Sequence, residues 1–290
     1  MTKGKVLIAM SGGVDSSVAA LLMKEEGMTP NPCIDCNRYM KFDRLYERAR
    51  VLGCDFIVTG HYARVRKEQN KYQLLKAVDE TKDQSYVLYQ MTQQELAGTK
   101  FPLGELTKKE ARRIAEEYDF INANKPDSQD ICFVPDGDYV SALKRFSGKV
   151  YEPGDFVDRR GNIIGKHKGI VAYTIGQRKG LGISAAKPLY VCEIDVDNNR
   201  VVLGENEDLF SRSVDVREVT WISGIVPEAP VSCKVKLRYR MKEQPAVIYP
   251  NKDNIVHIEF EEPQRAKTPG QAAVFYDGDV VLGGGIICGH

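Results

Sequence analysis

A short glycine-rich segment near the start of the chain contains residue types that can hold a phosphate group. Ser11–Ser16 (SGGVDS) follows the apolar run Lys5–Met10 and precedes apolar residues at helical spacing up to Gly27, which predicts strand, tight loop and helix. Two glycines let successive N–H groups turn inward, hydroxyls add donors, and a helix N-terminus supplies partial positive charge. A bare Gly-Gly turn would indicate little, but this combination predicts a phosphate-binding loop.

Three cysteines lie in polar or proline-rich surroundings that suit sulfur or metal chemistry. Cys33 and Cys36 form a C-x-x-C pair in the segment TPNPCIDCN, and Cys132 lies far downstream in DSQDICFV. A single C-x-x-C pair fits zinc binding, redox chemistry or coincidence. The sequence contains no second pair, which a structural zinc site usually requires. The prolines on either side of Asn31 predict a stiff loop.

Composition limits the classes of protein that can carry these residues. The 290 residues correspond to about two average domains, and 42% hydrophobic with 28% charged residues is typical of a globular chain. A net charge of +1 means that a polyanionic partner must be met by a local basic surface. Because no stretch approaches the roughly 18 apolar residues of a membrane helix and the seven cysteines are scattered, we expect a cytoplasmic protein with mostly reduced thiols.

The first part of the chain alternates between predicted strands and helices. Asp55–Thr59 is typical of a buried strand, and Arg44–Leu52 of a helix. Lys108–Tyr118 also has a helical pattern, with Thr107 as the candidate N-cap. This alternation predicts a parallel sheet connected by helical crossovers.

The second part consists mainly of short alternating runs separated by Gly, Pro and Asp-Asn signals, which predict an antiparallel barrel or sandwich. Tyr151–Gly182 is glycine-rich and basic, and we interpret it as part of a small middle module or a long functional loop. The predicted domains are residues 1–134, 135–204 and 205–290.

Two basic segments are candidates for phosphate contacts. Val231–Lys242 alternates along its whole length, which predicts a cationic ridge on one face of a strand, with Lys234, Lys236, Arg238, Arg240 and Lys242 on that face. The middle module contains the second segment, Lys166–Lys168 with Gln177–Lys179. A solvated strand face is the alternative interpretation of the first segment.

The phosphate loop matches the SGGVDS signature of the pyrophosphatase-loop ATP enzymes, and the whole chain resembles one family of that group, the tRNA-specific 2-thiouridylases. The resemblance rests on SGGVDS, NPCIDCN, TGHYAR, KDQSY, DSQDICFV, YTIGQRKGL and TPGQAAVFY, which run from residue 5 to residue 287. It implies an α/β architecture: a parallel-sheet, adenine nucleotide hydrolase-like (Rossmann-like) N-terminal domain, a small middle module and a C-terminal antiparallel β-barrel.

The resemblance also implies a reaction and its partners. ATP, with magnesium held in part by Asp15, would adenylate the C2 oxygen of the wobble uridine in the anticodon stem-loop of a tRNA. A persulfide on Cys132 would deliver the sulfur, and Cys36 would then attack Cys132, leaving a disulfide between them. A sulfur donor protein, such as a cysteine desulfurase or a relay protein, would supply the persulfide sulfur.

Site residues carry over from the family motifs by position. The ATP positions are Ala9, Met10, Ser11, Gly12, Gly13, Val14, Asp15, Ser16 and Gly60. The positions that contact tRNA or the target base are Asn31, Pro32, Cys33, His61, Lys82, Asp83, Gln84, Arg238, Tyr239 and Gln271. The wobble base must leave its stack to reach Cys132, and Gln84 is suited to read its exposed edge. A histidine such as His61 that follows a strand is often structural.

Cys33 departs from the family pattern, because many members have Asp at this position. Three thiols can ligate an iron–sulfur cluster with one iron left open. Cys33, Cys36 and Cys132 therefore form a hypothetical ligand set for a four-iron four-sulfur cluster. Cluster and persulfide remain alternative routes for the sulfur.

The chain is short between Gly27 and Met28, where the resembled family has about seventy further residues, including a second strand of the parallel sheet. The crossover after the first helix then has no strand to return to, so we expect that Gly27 and Met28 are not bonded neighbours or that ATP binding is impaired. The competing functions are another adenylating enzyme of the same ATP group and an RNA-binding module with a degenerate nucleotide site.

Overall fold

The computed structural model describes residues 6–8, 25–29, 31–121, 123, 141, 144, 149–251 and 255–289. The predicted phosphate loop with the other N-terminal ATP positions, Ala9–Ser16, and the predicted persulfide carrier Cys132 lie outside these residues. Within the described chain, no helix is long and apolar enough to cross a membrane.

The N-terminal part contains a parallel sheet of three described strands in the order β1-β2-β5: β1 (Val6–Ile8), β2 (Phe56–Val58) and β5 (Thr99–Lys100). Ile8 is in register with Val58, so the two strands end side by side. The family resemblance led us to expect that the crossover before the C-x-x-C pair had no strand to return to. No strand lies between Glu25 and the C-x-x-C pair among the described residues, and the next strand, β2, follows the helical segment after residue 31 and pairs with β1.

Four α-helices lie among the described residues of this part: α1 (Pro32–Asp35), α2 (Leu45–Val51), α3 (Gln93–Ala97) and α4 (Lys108–Glu117). A π-helical segment, Cys36–Arg44, connects α1 to α2 without a break. Thr107 caps α4 through a capping box with Glu110, which confirms the predicted helix start.

The C-x-x-C segment is a helix start and not the stiff loop predicted from its prolines. Asn31 Oδ1 accepts a hydrogen bond from the Cys33 N–H at 3.2 Å, as an N-cap side chain does. Pro32 is then the first helical residue, where its missing N–H costs nothing. Pro32 therefore fixes the start of a continuous helical run, α1 followed by the π-helical segment, that carries both cysteines.

The middle module is a four-stranded sheet in the order β7-β6-β9-β8: β6 (Gly154–Val157), β7 (Ile163–His167), β8 (Tyr190–Asp195) and β9 (Arg200–Gly204). Its core packs Phe156, Val191, Val201 and Leu203 against Tyr173.

The C-terminal part is the predicted antiparallel barrel. Its strands are β10 (Phe210–Trp221), β11 (Val231–Lys236), β12 (Gln244–Tyr249), β13 (Ile255–Arg265), β14 (Ala272–Asp277) and β15 (Val280–Ile287). The barrel closes because β10 pairs with both β13 and β15.

A hairpin from the N-terminal part extends the barrel sheet. Strands β3 (Ala63–Glu68) and β4 (Lys71–Lys76) form this hairpin, and β4 pairs with β15. One buried cluster spans the junction, with Leu74 and Tyr86 from the N-terminal part packed together with Val274 and Tyr276 from the barrel. The two parts therefore share a hydrophobic core.

The described residues 25–29 form a helix end followed by a turn, and the expectation that Gly27 and Met28 are not bonded neighbours stays a prediction. Gly27 lies against Val196 of the middle module, and Met28 is buried against Gly270 of the barrel. Gly27 and Met28 thus contact both the middle module and the barrel.

The predicted cationic ridge is wrong beyond Lys236. Strand β11 ends there because β12 begins only at Gln244, which pairs with Val235, so the intervening residues have no strand to pair with. Lys236 and Arg238 are half-buried, whereas Arg240 and Lys242 are exposed. In the second basic segment, His167 is buried and its Nδ1 accepts the Gly169 N–H, so that ring is structural.

Candidate functional site

The helix that carries the two cysteines is fixed on its buried side. Cys33 is exposed and Cys36 is half-buried, and their spacing of three residues puts both on one face of the helix. Ile34 packs into the shared core, and Asn37 Nδ2 donates to the Val87 carbonyl oxygen at 3.2 Å. These core contacts hold the helix in place and leave Cys33 exposed.

The predicted tRNA-contact segment Lys82–Gln84 is a tight turn organised by a buried carboxylate. Asp83 accepts hydrogen bonds from the Ala77 N–H at 3.0 Å and from the Ser85 N–H and hydroxyl at 3.1 and 2.8 Å. With 9% of its surface exposed, Asp83 shapes the turn from inside. Lys82 and Gln84 are more exposed than Asp83 and are the members of this segment placed to contact a ligand.

Gln84 is oriented by the backbone of Tyr62. Its Oε1 accepts the Tyr62 N–H at 3.0 Å, and its own N–H donates to the Tyr62 carbonyl oxygen at 2.8 Å. One hydrogen bond thus holds the Gln84 backbone and the other holds its Oε1, which together restrict the orientation of the carboxamide. A fixed carboxamide donor is suited to reading the edge of a base.

Tyr239 joins the barrel to the turn and to the cysteine helix. Its hydroxyl donates to the Asp83 carbonyl oxygen at 3.1 Å, and its ring meets that of Tyr86 at 5.9 Å, edge to face. Burial first, and then the nearby charges of Asp83 and Cys33, raise the pKa of Tyr239. The ring of Tyr239 also packs against the buried cluster that contains Ile34, so the barrel meets the cysteine helix at a shared core although the two residues are far apart in sequence.

Lys236 places a positive charge at the same junction. Its Nζ lies 5.9 Å from the ring centroid of Tyr86 and 5.8 Å from that of Tyr239. Burial lowers the pKa of this ammonium, while the negative charges of Asp83 and Glu243 oppose the shift. The attraction between the ammonium and the two aromatic rings helps to hold the positive charge at this junction.

His61 is buried beneath the helical segment, with 6% of its surface exposed. Its Nδ1 is 2.8 Å from Thr59 Oγ1, and its ring lies 6.0 Å from those of Phe42 and Phe101. Burial, followed by the charge of Lys41, lowers the pKa of His61 to about 3. The ring is therefore neutral at physiological pH and cannot act there as a charged contact.

Two predicted tRNA positions make intramolecular contacts of their own. Arg238 Nη2 donates to the carbonyl oxygens of Ile175 and Ala266 at 3.3 and 2.8 Å, which joins the barrel to the middle module. Gln271 Nε2 donates to the Thr29 carbonyl oxygen. Both side chains are half-buried.

The ATP position Gly60 is exposed and follows the carboxyl end of β2. Because β1 ends beside β2, the chain leaves β1 for the predicted phosphate loop at the same edge of the sheet. Ligands of parallel α/β sheets bind at this edge.

Two residues of the site were missed by the sequence analysis. Asp35 lies between the cysteines, and burial raises the pKa of its carboxyl, with Arg38 opposing the shift and Glu218 adding to it. Thr29 is bound by the barrel through both its backbone N–H and its carbonyl oxygen. A carboxylate inside C-x-x-C was a visible signal for Asp35, whereas nothing local marks Thr29.

Family models match almost the whole chain. The model described as the tRNA methyl transferase HUP domain matches residues 4–28 and 24–136, the tRNA methyl transferase PRC-barrel domain matches 141–205, and the aminomethyltransferase beta-barrel domain matches 211–287. The first match is in two pieces that meet at residues 24–28, next to the short connection.

Curated relatives are similar over most of their length. The tRNA-specific 2-thiouridylase MnmA of Clostridioides difficile is 50% identical over 264 residues, which cover 90% of this chain and 73% of that protein. The protein of the same name from Acetivibrio thermocellus is 41% identical over 358 residues, covering 99% of this chain and 100% of the relative. Since this chain has 290 residues, about seventy positions of that alignment are gaps in it. With these matches, the chain belongs to the tRNA-specific 2-thiouridylase family.

Proposed function

We propose that this protein converts the wobble uridine of tRNA to 2-thiouridine, using ATP to activate the C2 oxygen. The observation that supports this most directly is the convergence of the helix that carries Cys33 and Cys36 with the Lys82–Gln84 turn and with Tyr239 of the barrel, through a shared buried cluster and hydrogen bonds. The segments that meet there carry a thiol, a carboxamide and a cation, the residue types that sulfur transfer to a recognised base requires. The relatives' name gives the same reaction.

The roles of individual residues are part of this proposal. Adenylation makes the C2 oxygen a leaving group, as AMP, and the terminal sulfur of a Cys132 persulfide attacks C2. Cys36 thiolate then attacks the Sγ of Cys132 and breaks the sulfur–sulfur bond, so that the transferred sulfur stays on the base and a Cys36–Cys132 disulfide remains. An external thiol must reduce that disulfide before the next turnover.

Two further components are proposed from the family chemistry. The loop Ser11–Ser16 holds the ATP phosphates, and a magnesium ion bound with the help of Asp15 neutralises them. A sulfur donor protein, such as a cysteine desulfurase or a relay protein, delivers sulfur to Cys132 in the cytoplasm.

The proposed reaction is tested with purified protein, tRNA, ATP, magnesium and a persulfide donor, by measuring pyrophosphate release and the mass of the digested nucleosides. We expect pyrophosphate and 2-thiouridine with the unaltered protein, and no 2-thiouridine with Cys36→Ser or Cys132→Ser. Cys54→Ser is the matched control, because Cys54 is also half-buried and follows α2, away from the cysteine helix. Binding of tRNA without pyrophosphate release would instead support an RNA-binding module, and a methylated base would support the reaction in the family models' descriptions.

An iron–sulfur route remains the alternative for the sulfur. Cys33 and Cys36 share one helix face, which fits two ligands of a cluster, and Cys132 would be the third. Such a cluster, when bound, would carry the sulfide on its open iron.

Anaerobic purification with iron and sulfide analysis separates the two routes. Cys33→Asp, which restores the residue common in the resembled family, removes a cluster ligand but spares a persulfide route. Full activity of a colourless Cys33→Asp protein would exclude the cluster.

A further inference from the structure

We propose that Gln271 is a positioning residue that, with the turn Thr268–Gln271 of the barrel, holds the cysteine helix in place by binding Thr29. The inference rests on the proposed function, because it assigns a structural cause to the presentation of the two thiols. It differs from a direct contact between Gln271 and tRNA, which the family position alone implies.

Both backbone groups of Thr29 are bound by the same barrel turn. The Thr29 N–H donates to the Pro269 carbonyl oxygen at 2.7 Å, and the Thr29 carbonyl oxygen accepts from Gln271 Nε2. Opposite bonds on one residue fix its peptide planes as a strand pairing does. Thr29 is thereby fixed in both position and orientation.

The turn that binds Thr29 is itself tied to the last strand. The Gly270 N–H donates to the Ile287 carbonyl oxygen at 3.0 Å, and the Ile287 N–H donates to the Gln271 carbonyl oxygen at 2.8 Å. Gly270 has φ of +84°, and a Cβ there would lie 2.8 Å from Met28 Cβ. The close approach of the two segments thus requires glycine at this position.

The residue before Thr29 strengthens the attachment. Met28 is buried, and its Sδ accepts a hydrogen bond from Arg217 Nη2 at 3.6 Å. Met28 and Thr29 therefore anchor the chain on the barrel by an apolar and a polar contact together.

The attachment is close enough to the cysteines to control them. Asn31, two residues after Thr29, caps α1 by accepting the Cys33 N–H, and its carbonyl oxygen accepts the Ile34 N–H at 3.0 Å. Pro32 follows this cap directly and has a restricted φ at the first helical position. Because only two residues separate Thr29 from Pro32, a displacement of Thr29 should also displace the first turn of the helix.

This positioning role is tested by the reactivity of the thiols in the absence of tRNA and ATP. Gln271→Glu keeps the side-chain shape but replaces the Nε2 donor with an oxygen that repels the Thr29 carbonyl, and Gln271→Met removes the donor without adding charge. We expect iodoacetamide to alkylate the half-buried Cys36 about threefold faster or more in both variants, because local opening becomes easier. Peptide-resolved mass spectrometry measures the rate at each cysteine.

Gln244→Glu is the matched control, since Gln244 lies at the start of β12 and its Nε2 donates only within the barrel, to the Lys242 carbonyl oxygen at 3.4 Å. We expect this variant to react like the unaltered protein. In the thiolation assay, the Gln271 variants should lose kcat and keep KM for tRNA.

An unchanged Cys36 alkylation rate in folded Gln271→Glu and Gln271→Met would overturn the proposal, and a rise in KM alone would assign Gln271 to a tRNA contact. The alkylation comparison does not depend on catalysis. A protein that fails to thiolate tRNA but shows faster Cys36 alkylation in the variants would refute the proposed function and retain the positioning role.

Discussion

At the scale of single residues, several side chains expected to face RNA are held inside the protein. Both carboxylate oxygens of Asp83 accept hydrogen bonds from within the protein, and His61 packs against aromatic rings. Their effect on a ligand is therefore indirect, through the backbone and side chains that they orient. Lys82 and Gln84, which are more exposed, remain the candidates for direct contact.

The buried ring of His61 should make the stability of the protein depend on pH. Burial lowers its pKa to about 3, whereas an unfolded histidine titrates near about 6.5. Between these values the unfolded chain binds a proton that the folded protein does not. As the pH decreases, the free energy of unfolding should therefore decrease by up to about 1.4 kcal/mol per pH unit. Urea unfolding between neutral and mildly acidic pH measures this slope.

His61→Asn should remove this component of the slope, because it keeps a polar atom near Thr59 without the titrating ring. Thr59→Val is the control: it should lower stability at every pH and leave the slope in place, since the buried ring remains. Identical slopes in the unaltered protein and His61→Asn would contradict the assignment.

At the scale of elements, the start of α4 follows from local sequence alone. The Thr107 hydroxyl accepts the Glu110 N–H at 3.3 Å, and the Glu110 carboxylate accepts the Thr107 N–H at 2.7 Å. Both bonds lie within one turn, so the T-x-x-E pattern is sufficient to predict them.

Thr107→Ala should destabilise α4 by about 1 kcal/mol, because it leaves a helix-terminal N–H without its side-chain acceptor. Amide hydrogen exchange across residues 108–117 measures the loss locally. Lys109→Ala is the control, since Lys109 is exposed on the same helix. In this variant, amide exchange across the helix should change little. Equal exchange in the two variants would refute the cap.

Other elements were missed because their partners are distant in sequence. The β3–β4 hairpin has alternating residues around Gln69 and Asn70, whose positive φ angles of 46° and 68° form a two-residue turn. That pattern could have predicted the hairpin but not its pairing with β15. Likewise, the alternation of Val231–Lys242 continues beyond Lys236, where the paired strand ends, so the cationic ridge predicted from the alternation is too long.

At the scale of the whole molecule, Arg238 joins two modules. It donates to Ile175 of the middle module and to Ala266 and Thr268 beside the barrel. A hydrogen bond from a charged donor to a carbonyl oxygen that is shielded from solvent contributes more to the stability of the fold than an exposed hydrogen bond does.

Arg238→Gln should lower the free energy of unfolding by about 2 kcal/mol, because it removes these charged donors. Arg240→Gln is the control, since Arg240 is exposed, and we expect a change within about 0.5 kcal/mol. Chemical denaturation followed by the fluorescence of Trp221 measures both. Equal stability of the two variants would show that Arg238 does not join the modules energetically.

The architecture and the family could be predicted from the sequence, while the arrangement of the site could not. Motifs such as SGGVDS and TPGQAAVFY identify the family wherever they lie in space. The packing of Tyr239 on the cluster that contains Ile34, and the bond of Gln271 to Thr29, depend on how the barrel packs on the N-terminal part. No local pattern encodes such contacts, because each is made by residues more than two hundred positions apart.

The pairing of β4 with β15 also bears on how the chain matures during translation. Leu74 and Leu75 leave the ribosome long before Val280 and Val281, the residues with which they pair. Until synthesis is nearly complete, the nascent N-terminal part exposes apolar surface and an unpaired strand edge, which favours aggregation or chaperone capture. A premature stop before residue 280 should therefore yield an insoluble product, and not a soluble N-terminal fragment.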